Sequence, residues 1–396
     1  MSAAVLSSVA GRLRVATFNL SFSRPAAGGL LAALQADELA LHHCAAILQR
    51  VRPDIVLLNE FDHDGEGQDE QALTLFLQRY LGVSQQGETP LDYPYHLQIP
   101  TNTGLLCGAD LDGDGVPTLP ADGQGFGAFH GQYSMVVLSR FPLLPEAVRS
   151  FRQLLWAQMP GAQLPDRQPG SGLGDYYPAA ALAELRLSSK NHLDLPVRIP
   201  SAHGERLLHL LLSHPVPPVF DGAERRNRCR NHDEIRLWAD LLDGADYLQD
   251  DAGRPARLLP EAAVIVLGDL NADPCAGDGD RRAIQRLLAH PRLNQQASRG
   301  KWVPGSRGAL EHAARGRRRV SEGRAEVQAA NWTHLRGLRL DYVLPDASLN
   351  VTASGVFWPA RDEPGRDLIA DPAYPHRPEQ ASWSSDHRLV WVDLLL

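Results

Sequence analysis

The sequence predicts an α/β fold in which two β-sheets pack face to face and helices cover their outer surfaces. Two observations support this prediction. Helical patterns alternate with short apolar segments in the first quarter of the chain, whereas apolar segments follow one another in the middle. The chain also carries 34 Gly and 29 Pro among its 396 residues, and such a content of turn formers is typical of many strands joined by turns and long loops.

Short apolar segments with a Leu-rich or β-branched content predict the buried strands. In chain order they are Leu13–Leu20, Ile55–Leu58, Met135–Leu138, Ala179–Leu187, Leu207–Leu212, Ala262–Leu267, Leu338–Leu344 and Leu389–Leu396. Helical periodicity predicts helices over Asp37–Val51, Asp69–Leu81 and His232–Leu242. The first of them carries Asp37 and Glu38 in its first turn, where carboxylates interact favourably with the helix dipole.

The composition excludes several classes of protein. Hydrophobic residues make up 43% and charged residues 22% of the chain, so wholesale disorder is excluded. A net charge of −8 argues against a protein held to nucleic acid mainly by bulk positive charge. No apolar segment approaches the roughly 18 residues that a membrane span requires. The N-terminus lacks the features of a signal peptide, so we expect a cytoplasmic protein, although a mature secreted form would look the same.

The four cysteines are Cys44, Cys107, Cys229 and Cys275. They include no CxxC pair, which excludes a zinc ribbon or a thioredoxin motif. Their wide spacing is compatible with one or two disulfides and equally with reduced thiols.

Polar side chains stand where the predicted strands end. They include Asn19, Asn59-Glu60, Ser213-His214, Asp269-Leu270-Asn271, Asp341 and Ser385-Asp386-His387. A carboxylate beside a core strand is costly unless it is paired, hydrogen-bonded or bound to a metal ion. A cluster of Asp, Glu, Asn and His with few nitrogen or sulfur ligands at short spacing suits a hard cation such as Mg²⁺ rather than Zn²⁺. Such a set supplies the parts of phosphoryl chemistry, namely charge neutralisation, an oriented water and help for the leaving oxygen.

Seven segments resemble, in order, the signature blocks of the endonuclease/exonuclease/phosphatase superfamily. They are RVATFNLSF, DIVLLNEFD, YSMVVLSRFPL, LLLSHPVPP, VIVLGDLNADP, LRLDYVLP and WSSDHRLVWVDL. The resemblance runs over nearly the whole chain and implies a four-layer α/β/β/α sandwich of two packed mixed sheets with helices outside. It implies a single such domain over residues 13–396, with loop insertions near 104–131, 157–178 and 292–331.

The resemblance also implies roles for individual residues. Glu60 is the expected main metal ligand, with Asn19 beside it and Asp386 as a further contact to Mg²⁺ or Mn²⁺ or to its water. Asp269 would orient or deprotonate the attacking water, and Asn271 would hold a phosphate oxygen. Asp341 would pair with His387. His387 would act as a base or as a donor to developing negative charge. His214 would bind phosphate or protonate the leaving oxygen.

Two departures from the superfamily pattern concern these roles. The residue before the metal-binding Glu is usually Gln, and here it is Asn59, which is one carbon shorter. In deoxyribonuclease I-like members the equivalent of His214 has a Glu partner near the third block, whereas the segment here reads Gly131-Gln132-Tyr133-Ser134. We therefore expect His214 to be less well supported as an acid.

Several secondary signals have two interpretations each. Asp110, Asp112 and Asp114 resemble the start of a calcium loop, but Ala121 replaces the expected twelfth-position Glu and Asp122 follows it, so either structural Ca²⁺ or a solvated turn is compatible. Arg226, Arg230 and His192 are candidate substrate contacts. The alternative interpretation is a solvated helix start for the two arginines and a hairpin end for His192. The Arg315–Arg319 cluster would bind a polyanion or form a charged loop; residues 292–324 carry nine Arg or Lys and two Glu.

These inferences predict a metal-dependent phosphoesterase, with a phosphodiester and nuclease-like activity favoured. The first alternative is a phosphomonoesterase acting on a small phosphorylated molecule or a lipid. The alternative of another class is a binding protein whose catalytic site has decayed. The expected partner is a phosphate-ester substrate, nucleic acid among the candidates, and no obligate protein partner is inferred.

Overall fold

Two mixed β-sheets form the centre of the computed structural model, which describes residues 11–201, 204–315, 329–374, 377 and 379–396. The strands are β1 (Arg12–Asn19), β2 (Ile55–Asn59), β3 (Tyr95–Ile99), β4 (Met135–Ser139), β5 (Arg149–Ser150), β6 (His192–Ser201), β7 (Gly204–Ser213), β8 (Ala263–Asp269), β9 (Asp341–Pro345), β10 (Asn350–Val356) and β11 (Val390–Leu395). The six-stranded sheet has the order β10-β11-β1-β2-β4-β3, and the five-stranded sheet has the order β5-β6-β7-β8-β9.

Helices flank the sheets on the outside. They are α1 (Gly29–Gln35), α2 (Leu39–Val51), α3 (Gln71–Leu75), α4 (Ala179–Leu182), α5 (Arg226–Leu242), α6 (Arg281–Leu288), α7 (Gln295–Ser298) and α8 (Arg307–Arg315). A π-helical turn over Phe76–Leu81 continues α3, and short 3₁₀ turns lie at Pro145–Ala147, Trp156–Gln158, Arg366–Leu368 and Ala381–Trp383. Among the described residues, no helix combines the length and the apolarity that a transmembrane segment requires.

Alternation along β8 shows how the layers are arranged. Ile265 and Leu267 belong to the core that lies between the two sheets and continues to α2, whereas Val264 and Val266 face α5 and α6 on the other side. Successive side chains of a strand point to opposite faces of its sheet, so β8 is covered on both faces. The predicted four-layer sandwich is therefore confirmed.

The register of the strands gathers the polar strand ends at one edge of the sandwich. β1 and β2 are parallel neighbours, and Asn19 lies opposite Asn59 at their ends. β7 and β8 are also parallel, and Asp269 at the end of β8 lies opposite Asp341 at the start of antiparallel β9. Parallel neighbouring strands end at the same edge of their sheet, so the polar residues at the ends of these strands lie together at that edge.

Some predicted elements were wrong. The predicted strand over Ala179–Leu187 begins instead as the helix α4, because a run of Ala after Pro178 favours helix over strand. The strands β3, β5, β6 and β10 were not predicted. The expected loop at 292–331 contains α7 and α8. Residues 316–328, which include most of the Arg315–Arg319 cluster, lie outside the described residues.

Cysteine pairing is also settled by the structure. None of the four cysteines forms a disulfide, and Cys44 and Cys107 are buried. Of the two states that the sequence left open, disulfides and thiols, the structure shows thiols.

Candidate active site

The C-terminal ends of strands β7 and β8 approach each other very closely at Gly268. Its φ is +145°, and a Cβ atom at this position would lie 1.9 Å from the carbonyl oxygen of Ser213. Only glycine tolerates this contact without a shift of the backbone. The residues that follow, His214 and Asp269, are thereby held side by side.

The carboxylate of Asp269 lies at the centre of the site. Its Oδ2 atom is 3.0 Å from Nδ2 of Asn19, 3.4 Å from Nε2 of His214 and 3.6 Å from Nε2 of His387. Its Oδ1 atom accepts the backbone N–H of Asn271 at 3.0 Å. Burial raises the pKa of Asp269, but the neighbouring His387, His214 and Asn19 outweigh this effect and hold the pKa below its ordinary range. Asp269 is therefore an ionised carboxylate that two imidazoles face.

His387 is held by a second buried carboxylate. Its Nδ1 atom lies 2.9 Å from Oδ2 of Asp341, and that oxygen also accepts the hydroxyl of Thr333 at 2.6 Å. Burial opposes protonation, but the charges of Asp341 and Asp269 outweigh it and raise the pKa of His387 to about 10. His387 is therefore an imidazolium at neutral pH, with Nδ1–H directed to Asp341 and Nε2–H to Asp269.

Glu60 and Asp386 form the second half of the site, on either side of the segment that follows β1. Ser23 donates its hydroxyl to Oε2 of Glu60 at 3.4 Å, and Ser21 donates to Oδ1 of Asp386 at 2.6 Å. The backbone at Glu60 has φ +59° and that at Ser21 has φ +54°, a left-handed conformation that costs energy in residues with side chains and clusters at functional sites.

Asn19, an expected metal ligand, turns its amide nitrogen and not its oxygen to the carboxylates of the site. Oδ1 of Asn19 accepts the backbone N–H of Ser21 at 3.0 Å, so Nδ2 faces the carboxylates and donates to Glu60 and Asp269 at 3.0 Å each. An amide nitrogen does not bind a cation. Asn19 therefore links the two carboxylates instead of offering an oxygen.

The donor set fits a hard divalent cation. Carboxylates of Glu60, Asp269, Asp341 and Asp386 converge here, and oxygens of Asp269 and Asp341 lie within 4.8 Å of a His387 nitrogen. Positive charges near these four carboxylates include His387, Lys190, which interacts with Glu60 and Asp269, and Arg388, which interacts with Asp386. Mg²⁺ and Mn²⁺ prefer oxygen ligands of this kind, and Glu60 and Asp386 are the residues that would hold the ion.

Lys190 was missed as an individual residue. It is 6% exposed and lies just before β6, whose first residue His192 is paired with Ser213 at the catalytic edge. Burial lowers the pKa of its ammonium group, and the charges of Glu234, Glu60 and Asp269 act in the opposite direction. Sequence analysis could have found it only through its position beside the strand that ends in His214.

His214 lacks the carboxylate partner that its role as an acid would require. Its Nδ1 atom is buried and has no hydrogen-bond partner among the described residues. Asn59, the residue before Glu60, also has a buried atom without a described partner. Its Oδ1 accepts the hydroxyl of Thr17 at 3.1 Å, but its Nδ2 has no hydrogen-bond partner among the described residues. Both departures noted in the sequence thus have a counterpart in the structure.

Asn271 lies at the site, although its side chain is directed to the backbone. Its Nδ2 atom donates to the carbonyl of Pro215 at 3.1 Å. Its φ is +52°, which turns the chain sharply after β8.

Two of the three candidate substrate contacts are buried side chains. His192 is 1% exposed, with Nδ1 on Ser188 and Nε2 on the carbonyl of Glu234. Arg230 is 9% exposed and donates to three backbone carbonyls. Both ring nitrogens of His192 are thus engaged, and Nε and Nη2 of Arg230 are engaged with the backbone. Arg226 differs, since its side chain is 37% exposed and bonds the hydroxyl of Tyr176 at 3.1 Å.

The acidic loop brings its carboxylates together. One oxygen from each of Asp110, Asp112, Asp114 and the buried Asp122 lies within 4.8 Å of the others. The oxygens of Asp122 accept the backbone N–H groups of Leu111 and Thr118, which hold this carboxylate in the loop.

Comparison with known proteins gives the family context. A family model described as "Endonuclease/Exonuclease/phosphatase family" matches residues 16–387. A comparison with curated proteins found no match.

Solved structures similar to this chain include three from different organisms. An endonuclease/exonuclease/phosphatase from Beutenbergia cavernae is 17% identical, with 98% of this chain and 72% of that chain covered and a TM-score of 0.49. The human Nocturnin catalytic domain is 15% identical (97% and 93% covered, TM-score 0.43). A mannosyl-6-phosphatase from Bacteroides thetaiotaomicron is 12% identical (97% and 100% covered, TM-score 0.43).

Proposed function

The chain belongs to the endonuclease/exonuclease/phosphatase family, and from this premise we propose that it is a divalent-metal-dependent phosphoesterase that hydrolyses phosphodiesters. Family members are hydrolases that act on phosphate esters. The observation that carries the proposal is the single carboxylate oxygen of Asp269, which faces Nε2 of both His214 and His387. An ionised carboxylate between two imidazoles is suited to water activation next to a phosphate.

Each residue has a defined part in this proposal. Asp269 orients the attacking water and takes its proton. His387, kept as an imidazolium by Asp341, donates Nε2–H to a phosphate oxygen as negative charge develops. His214, which faces the same oxygen of Asp269, acts on the leaving oxygen, and the second N–H of the Asn271 amide holds a non-bridging oxygen. The ion held by Glu60 and Asp386 supplies charge neutralisation when it is bound.

Lys190 favours a second candidate function, a phosphomonoesterase. A monoester carries one more negative charge than a diester at neutral pH. The buried ammonium of Lys190 lies near Glu60 and Asp269 and is available to balance that charge. This alternative predicts that Lys190→Met lowers monoester hydrolysis more than diester hydrolysis.

The decisive assay compares simple and natural substrates with Mg²⁺. Purified protein is incubated with plasmid DNA, RNA, bis-p-nitrophenyl phosphate and p-nitrophenyl phosphate. Turnover of the diesters supports the proposal, and turnover of p-nitrophenyl phosphate alone supports the monoesterase. No turnover of any ester, with or without Mg²⁺ or Mn²⁺, favours a decayed binding protein.

The first prediction concerns Glu60. Glu60→Gln removes a charge from the proposed metal site without changing its shape, and we expect hydrolysis to fall by at least about 10²-fold, as when one charge-stabilising group is lost from an active site. Melting curves without metal should be almost unchanged. Glu66→Gln is the matched control, because Glu66 lies on the following loop and pairs with Arg152 at the surface. Equal activity of both variants would exclude Glu60 from the site.

A further inference from the structure

A third histidine, His334, lies against the candidate active site, and no part of the proposed reaction uses it. It is 7% exposed, and its ring packs edge-on against that of His387 with centroids 4.5 Å apart. Its Nε2 atom lies 3.2 Å from Oδ2 of Asp386. The backbone holds it there, since Leu335 donates its N–H to the carbonyl of Asp386 at 3.0 Å and Arg388 donates to that of Thr333 at 2.7 Å.

The hydrogen bond at Nδ1, the other ring nitrogen of His334, determines which nitrogen carries the proton. Nδ1 accepts the backbone N–H of Arg336 at 3.0 Å. A nitrogen that accepts a hydrogen bond carries no proton, so in the neutral ring the proton is on Nε2. Nε2–H of His334 therefore donates to Asp386.

This arrangement excludes His334 as a metal ligand, although its nitrogen lies within 4.8 Å of ligand atoms of Asp386 and His387. A histidine that binds a metal through Nε2 donates its other N–H to an acceptor. Here the other nitrogen faces a donor, so Nε2 has no lone pair to offer.

We propose that His334 is a positioning residue that fixes the carboxylate of Asp386 for a divalent cation. The inference rests on the proposed function of the site. Asp386 is held on both oxygens, by Ser21 at Oδ1 and by His334 at Oδ2. Its side chain is 37% exposed, so without these two donors it is free to turn into solvent. These two hydrogen bonds fix the orientation of the carboxylate.

The test measures Mg²⁺ affinity directly, by titration calorimetry. His334→Ala should weaken Mg²⁺ binding by about 10–100-fold, the usual effect of losing a partner that orients a metal ligand. His334→Gln, whose amide also donates an N–H, should restore most of the affinity. In the Asp386→Asn background, His334→Ala should change nothing further. Full Mg²⁺ affinity in His334→Ala, or no rescue by a folded His334→Gln, would overturn the proposal.

His290 supplies a matched control. Its Nδ1 also accepts the N–H two residues on, from Arg292 at 3.2 Å, and its Nε2 lies 2.9 Å from Oδ1 of Asp243, at the C-terminal end of α5. His290→Ala should lower the melting temperature and leave Mg²⁺ affinity unchanged. An equal loss of affinity in both variants would mean that general destabilisation, and not positioning, explains the effect.

A second measurement does not depend on metal. In ¹⁵N-edited NMR spectra of the metal-free protein, His334 should carry its proton on Nε2, and a proton on Nδ1 would overturn the proposal. If the wild-type protein binds no Mg²⁺ and hydrolyses no ester, the proposed function fails and the positioning role fails with it. If the wild type does both and only the His334 variants behave unexpectedly, the proposed function stands and this inference alone is lost.

Discussion

The three histidines of the candidate site differ in what faces Nδ1 of each ring. In His387 it is the carboxylate of Asp341, in His334 the N–H of Arg336, and in His214 no described group. The first arrangement produces a cation, the second makes Nε2 the donor, and the third leaves the ring without a second described partner. One residue type thus serves three purposes, which are set by the neighbours and not by the side chain itself.

A prediction about pH follows from the pair of Asp341 and His387. Because the pKa of His387 is raised from 6.5 to about 10, its charge stabilises the fold fully below pH 6.5, and this contribution is lost as the pH rises through about 10. Asp341→Asn keeps the hydrogen bond to Nδ1 but removes the charge. We expect the alkaline limb of the pH–activity profile, and the alkaline loss of stability, to move to lower pH.

Profiles of kcat/KM and urea unfolding between neutral and alkaline pH check this prediction. Asp243→Asn is the control, because Asp243 bonds His290 in a similar way but far along α5 from the site. An alkaline limb that stays in place in Asp341→Asn would show that His387 is not the group that titrates.

Residue pairs inside the recognised sequence blocks were the easiest part of the site to predict. Asp341 and His387 were paired from the resemblance, and their atoms lie 2.9 Å apart. The orientation of Asn19 could not be predicted, because it depends on a single N–H from Ser21. His334 was missed because a backbone bridge between distant segments, and no local pattern, brings it to Asp386.

At the level of elements, strands were predicted where apolar residues continue, and β6, which proline interrupts, was missed. β6 contains Pro196 and Pro200 and was not recognised. The carbonyl of Pro196 accepts the N–H of Leu144 at 3.0 Å, so its backbone polar groups face away from β7. A missing N–H at such a position removes no bond of the ladder to β7. Proline is compatible with a strand here because of pairing geometry that a single sequence does not reveal.

The acidic loop leads to a prediction about calcium. Four carboxylates with oxygens within 4.8 Å of one another repel unless a cation separates them. If the loop binds Ca²⁺, addition of millimolar Ca²⁺ to chelator-treated protein should raise the melting temperature. The gain is about 2.7 kcal/mol at a hundredfold excess over Kd. Joint replacement of Asp112 and Asp114 by Asn should abolish the shift.

Asp166→Asn is the control for that experiment. Asp166 accepts the N–H groups of Gly172 and Gly174 at 2.8 Å each, a turn like that of Asp110 with Gly113 and Gly115. It is not part of a metal-capable group among the described residues. A melting temperature that Ca²⁺ leaves unchanged would identify the acidic loop as a solvated turn.

At the scale of the whole molecule, the site depends on both sheets at once. Asn19 and Glu60 follow β1 and β2 of one sheet, and Asp269 ends β8 of the other, yet Nδ2 of Asn19 bridges the two at 3.0 Å. The packing of one sheet on the other therefore determines the geometry of the site. The resemblance predicted this convergence, whereas periodicity alone predicted only that two sheets pack together.

Core substitutions on the two sides of the five-stranded sheet should therefore differ in their effect on activity. Leu267 and Leu287 are both fully buried, but Leu267 lies between the sheets, two residues before Asp269, and Leu287 lies in α6 on the outer side. Each Leu→Ala change should cost about 2–5 kcal/mol of unfolding free energy, measured by urea denaturation. Leu267→Ala also loosens the contact that sets the position of Asp269, and a displacement near 1 Å can reduce turnover by about 10²-fold. Leu287→Ala should leave turnover close to that of the wild type when both variants are fully folded. Equal turnover of the two variants would mean that the catalytic edge is held by its own hydrogen bonds and not by the packing of the sheets.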